Sequence, residues 1–122
     1  MPGYEGGVFE PPAPVVRVVV RGPNGLVYND APFLIDTGAD VSLVPQEVVN
    51  AVKATTTASS APIQLLAGYQ LPCVQADLSI EFLRYRFRGL FLVAESDFGV
   101  LGRNILNMLV VNLDGPGLFW AT

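Results

Sequence analysis

The chain has 122 residues, of which 51% are hydrophobic and 15% charged, with a net charge of −4. That is the length of one domain able to bury its own core, and the acidic balance argues against general nucleic-acid binding. There is no histidine and one cysteine, Cys73, which excludes histidine-based triads, most zinc sites and an internal disulfide, and leaves acid–base chemistry to carboxylates.

Residues 1–14, "MPGYEGGVFEPPAP", are rich in Pro and Gly and read as a flexible arm ahead of a folded domain at 15–122. They carry neither the basic nor the apolar region of a signal peptide. No apolar run reaches the ~18 residues of a membrane span, so the sequence predicts a soluble, cytoplasmic protein without membrane contact. Residues 15–21, "VVRVVVR", predict a strand. The "GPNG" that follows predicts a tight turn. The chain returns at 26–29, bends at 30–32, and enters a short buried strand at 33–35. Residues 41–44 are another apolar run, and Pro45 opens a short helical turn through residue 53. Residues 54–62, "ATTTASSAP", read as an exposed loop.

Residues 63–71 look like two strand pieces around Ala67 and Gly68. Cys73, after Pro72, reads as a small apolar residue. Residues 74–95 alternate with period two and predict a long hairpin. Within it "RYRFRG" interleaves Arg84, Arg86 and Arg88 with Tyr85 and Phe87. Base stacking with phosphate contacts is one reading. Strand alternation alone explains the pattern and is preferred, with the arginines in solvent and Leu83, Tyr85 and Phe87 on the core. Residues 103–109 have helical spacing, and "NLDGPGLFW" predicts a turn and a final strand. The sum is an all-β domain with one short helix near its C-terminus.

One stretch raises a chemical question. "FLIDTGAD" drives the ionisable Asp36 off the end of an apolar strand, which is costly unless something holds the carboxylate. Asp36 could cap the following turn. It could pair with Asp40 on a metal, a poor site with no further acid cluster. It could be half of a catalytic acid pair.

The surrounding residues favour the third reading. "FLIDTGADVSLVP" resembles the active-site segment of retropepsin-type aspartic proteases, and "FGVLGRNILNML" resembles that family's Gly-Arg-Asn segment, which closes a psi-shaped loop and begins a helix. Asp36 and Gly102 lie 66 residues apart, which leaves room for a flap hairpin and two strands. The resemblance covers residues 15–120. It implies a closed, barrel-like retropepsin fold with a flap hairpin, a homodimer, a peptide or protein substrate, and no metal or organic cofactor. One chain offers one Asp-Thr-Gly, so the second carboxylate would come from Asp36 of a second copy.

The resemblance also implies roles. Asp36 is the catalytic acid, Thr37 locks the two active-site loops together through its hydroxyl, and Gly38 lets substrate backbone approach. Asp40 binds substrate backbone and pairs with Arg103, beside Gly102. Leu66, Ala67, Gly68 and Tyr69 lie near the flap tip. Phe98 and Val100 are pocket walls, and Leu43 is a further candidate. Ala39 cannot donate the extra hydrogen bond that Ser supplies at this step, so activity is expected at mildly acidic pH. The chain departs from the retroviral pattern in two places. Its flap has one glycine, and Pro11, Pro12 and Pro14 oppose an N-terminal dimer strand. The dimer is then expected to rest on residues 117–122, through Leu118, Phe119 and Trp120. The alternative function is a dimerisation or peptide-binding module on the same fold. A glycosidase using Asp36 and Asp40 is a third.

Overall fold

The computed structural model describes residues 3–58, 63–64, 70–71 and 73–122, with 63–64 and 70–71 described by backbone pairing only. In chain order the elements are β1 (Gly3–Glu5), β2 (Ala13–Arg21), β3 (Val27–Ile35), β4 (Leu43–Pro45), α1 (Gln46–Ala51), β5 (Thr55–Ala58), β6 (Ile63–Gln64), β7 (Gln70–Leu71), β8 (Val74–Phe82), β9 (Tyr85–Ala94), β10 (Gly99–Leu101), α2 (Arg103–Leu106), β11 (Asn112–Asp114) and β12 (Phe119–Ala121). Among the described residues no helix is long and apolar enough to cross a membrane.

Alternation decides which faces turn inward. Along β2, Val16, Val18 and Val20 are buried while Arg17 is exposed. Along β8, Ala76, Leu78, Ile80 and Phe82 are buried. Period two places each set on one face of its strand. The strands β2, β3, β10, β4, β9 and β8 are hydrogen-bonded in that order, and β8 pairs back to β2, so the sheet closes into a barrel. β11, β12 and β1 extend the same sheet beyond β2.

A bulge makes the closure. Val18 pairs with Ala31 and Val20 with Tyr28, so Val19 stands opposite two residues, Asn29 and Asp30. Asp30 takes φ 60°, a conformation Asp tolerates better than most residues. The bend expected at 30–32 is therefore a bulge within one continuous strand. Bulges increase local twist, and here β2 turns so that Val19, Val20 and Arg21 pair with Glu81, Ile80 and Ser79 of β8. Arg21 Nε donates to Glu81 Oε2 across this seam at 2.8 Å.

Several sequence expectations change. The N-terminal arm is partly in the sheet: β1 pairs with β2 and with β12, and β2 begins at Ala13. The loop expected from residue 54 contains β5, an edge strand on β8 whose four residues are all exposed. Leu83 does not face the core. It is exposed at φ 52°, in the turn joining β8 to β9. Tyr85 and Phe87 pack against the core beside Phe82. Arg86 and Arg88 point to solvent, where they approach Glu81 at 3.4 Å and Asp77 at 3.8 Å. Trp120, expected on a dimer surface, is 1% exposed, and its Nε1 donates to the Val15 carbonyl at 2.9 Å.

Two predictions follow from the seam and its end. Gly22, just after β2, lies against α1's C-terminal end, where a Cβ would overlap the Val52 carbonyl oxygen. Gly22→Ala forces that contact apart, and urea unfolding should show a loss of about 1–3 kcal/mol. At the seam itself, the hydrogen bond and charge of Arg21 hold Glu81 below its ordinary value of 4.5. A carboxyl lowered on folding stabilises the fold above its unfolded value and loses that contribution as pH falls through the folded one. The Tm difference between wild type and Glu81→Gln should therefore be largest near neutrality and shrink as pH falls below about 4.5.

Candidate active site

β3 and β4 are consecutive in the chain but not neighbours in the sheet, because β10 lies between them, parallel to β3 and antiparallel to β4. The connection 36–42 must then pass around the end of β10, where the chain turns into α2. Asp36 N–H donates to the Leu101 carbonyl at 3.0 Å, and Arg103 N–H donates to the Ala39 carbonyl at 2.8 Å. Between them sits Gly102, which is buried and has no room for a Cβ: one would overlap the Val41 carbonyl and crowd that of Ala39. The "Gly-Arg-Asn" and "Asp-Thr-Gly-Ala-Asp" segments thus meet.

Each residue of the crossing has a physical task. Asp36 Oδ1 accepts the Gly38 N–H at 2.9 Å, and the Ala39 N–H bonds the Asp36 carbonyl at 3.2 Å. The turn-capping reading is thus realised with one carboxylate oxygen. Among the described residues no donor or cation engages the second oxygen. The side chain is half-buried, at the mouth of the turn. Thr37 is exposed, and its carbonyl accepts a 2.8 Å bond from Arg103 Nη1. Asp40 is exposed, and among the described residues no ion pair joins it to Arg103. The expected Asp40–Arg103 pair is thus replaced by a bond from Arg103 to main chain, which braces the Asp36 turn from the α2 side.

Sequence reasoning missed Ser42. It is 1% exposed, its hydroxyl accepts the Gly102 N–H at 3.0 Å, and it donates to Asn104 Oδ1 at 2.7 Å. One polar residue inside the apolar run "VSLVP" was the available signal, since a buried hydroxyl must find partners.

The remaining candidates are distributed as follows. Val100 lies in β10, paired with Leu34 on one side and Leu43 on the other, and all three are half-buried. Phe98, just before β10, is half-buried, with its N–H 3.3 Å from Ser96 Oγ. Where the flap hairpin is expected, β6 pairs with β7, Ile63 opposite Leu71 and Gln64 opposite Gln70. Leu66, Ala67, Gly68 and Tyr69, expected near its tip, lie outside the described residues.

Ser42→Ala removes the acceptor of a buried N–H and the donor to Asn104. It should cost about 1–3 kcal/mol in urea unfolding, and Ser42→Thr, which keeps the hydroxyl, should recover part of that loss.

Comparison with solved structures gives the fold. EIAV protease, in complex with an inhibitor, matches with a TM-score of 0.62 at 23% sequence identity, over 79% of this chain and 86% of that one. No protein-family model and no curated protein matches the chain. The mostly-β closed barrel with few short helices and this structural neighbour make the fold retropepsin-like.

Proposed function

We propose that the chain is an aspartic endopeptidase of the retropepsin type, active as a homodimer. The observation that carries this reading is the Asp36 turn. A retropepsin-like barrel presents Asp-Thr-Gly at the end of β3, braced by Leu101, Gly102 and Arg103, with one carboxylate oxygen unengaged among the described residues. Two such carboxyls facing each other across a two-fold axis cannot both ionise, so they hold one proton between them, as in acid-protease pairs generally. The ionised member takes a proton from water as the oxygen attacks the scissile carbonyl. The protonated member supplies a proton to the amide, and the C–N bond breaks with the proton on nitrogen. Thr37 and Gly38 hold the turn, and Asp40 reaches substrate backbone. The flap residues, with Phe98 and Val100, enclose an apolar side chain. Water is the co-substrate.

We place the second copy at the outer end of the sheet. β12 has β1 on one edge, at Phe119, and β11 along the other, so the partner strand is placed at β11 rather than within residues 117–122. β11 is the outer strand at that end. Around it Val110, Leu113, Leu118 and Phe119 are exposed, and burying such side chains drives association. The proposed dimer extends the sheet at β11.

Peptide-library cleavage by concentrated wild type and Asp36→Asn, scanned from about pH 4 to 7, tests the reading. Wild type should cleave, and Asp36→Asn should lose at least ~10²-fold. Specific activity should fall on dilution, and Leu113→Asp should give an inactive monomer in sedimentation. Equal cleavage by both proteins assigns the activity to a contaminant. A folded wild-type dimer that cleaves nothing leaves a peptide-binding module in place of the protease.

A further inference from the structure

The loop at residues 6–12, between β1 and β2, sits outside the resemblance, which begins at residue 15. Its ends are fixed in the sheet, with Glu5 opposite Ala13 and Tyr4 opposite Pro14. Arg17 Nε also donates to Glu5 Oε2 at 2.9 Å. Among the described residues of this loop Phe9 alone is half-buried, and all its neighbours from 6 to 12 are exposed. What takes Phe9 out of solvent is Phe98. The two ring centroids lie 4.7 Å apart with the planes at 64°, an edge-to-face contact.

Phe98 has reason to need a brace. It stands at the foot of β10, which runs through Val100 and Leu101 to the Asp36 turn. It also borders an open cavity of about 590 Å³ whose other lining residues, Gln46, Glu47, Glu95, Ser96 and Asp97, carry no ring. A phenyl ring beside unfilled space can change rotamer at little steric cost. An edge-to-face partner at this distance favours one orientation by an amount that corresponds to about 2- to 10-fold in population.

We propose that Phe9 is a positioning residue for substrate selection: by holding the Phe98 ring, it sets which apolar side chains the chain accepts next to the scissile bond. This rests on the protease reading for the position of Phe98 in the cleft. Phe9 makes no hydrogen bond or ring contact with the Asp36 turn, so its loss acts on side-chain preference and KM and leaves the chemistry alone. The pocket without Phe9 lets Phe98 swing toward the cavity, and larger side chains gain.

The test uses fluorogenic peptides identical except for Ala, Leu, Phe or Trp before the cleaved bond, with wild type, Phe9→Ala and Phe9→Tyr. Phe9→Ala should change the Trp-to-Leu ratio of kcat/KM by about 2- to 10-fold, through KM. Phe9→Tyr, which keeps the ring, should retain the wild-type ratio. All three should show the same loss of activity on dilution. Equal ratios in wild type and Phe9→Ala overturn the inference and leave the protease reading standing. The same peptides are also bound, in fluorescence polarisation, to Asp36→Asn with and without Phe9→Ala. If wild type cleaves nothing, that pair decides. A shifted Trp-to-Leu binding ratio supports the role of Phe9 in a binding module, and an unshifted ratio, or no binding, overturns it.

Discussion

At Gly102 two backbone segments cross so closely that no side chain fits between them. The loop that carries Asp36 leaves β3, passes around the end of β10 and enters β4. β10 ends at the same point and turns into α2. The carbonyls of Val41 and Ala39 occupy the space a Cβ would need. Because the crossing is tight, its polar groups must be satisfied locally. The Gly102 N–H takes the Ser42 hydroxyl, the Arg103 N–H takes the Ala39 carbonyl, and the Arg103 side chain takes the Thr37 carbonyl. The Asp36 turn is thus pinned by main chain at Leu101 and by the Arg103 side chain at Thr37, and one oxygen of the Asp36 carboxyl is fixed by the Gly38 N–H.

The barrel exists to hold that crossing still. β10 has three residues and could not be stable alone, yet it is gripped by β3 on one edge and β4 on the other. Those strands are anchored in turn by β2 and β9. The bulge at Asn29 and Asp30 lets β2 serve β3 and β8 at once, which removes two sheet edges and completes the ring. The long strands supply burial, and the short central ones supply the site.

How much of this was legible in the sequence follows from where burial lies. β8 and β9 alternate because one face of each is buried, so the period showed. β5 has four exposed residues and no alternation to show, and it is a strand because β8 offers it backbone partners. β1 is three residues in a Pro/Gly-rich stretch. Its partners at Val15 and Phe119 exist only after folding, and local composition could not announce them. The Asp36 turn was legible because its crossing with Gly102 leaves room for only a short fixed pattern. Its supporting contacts were less so. The arginine was identified, but its partner, a backbone carbonyl rather than Asp40, depends on the exact path of the chain. Phe9 gave no periodic signal at all, because its contact with Phe98 joins one loop to another far along the chain.

The same topology constrains how two copies can share a site. A single Asp36 turn supplies one carboxyl, and the proposed chemistry needs two. A chain that leaves its N-terminal strand available can complete a dimer by exchanging it. Here β1 lies between β2 and β12, and Trp120 is driven into the core with its indole N–H on Val15. Pulling out the C-terminal strand to reach a partner would expose a fully buried Trp, at a cost of about 3–5 kcal/mol judged from truncations of such side chains. Adding a strand at β11 costs none of this, since its outer backbone groups and Leu113 already face solvent. The proposed dimer is therefore one of finished sheets set side by side, resting on the short β11 edge and the exposed apolar side chains around it.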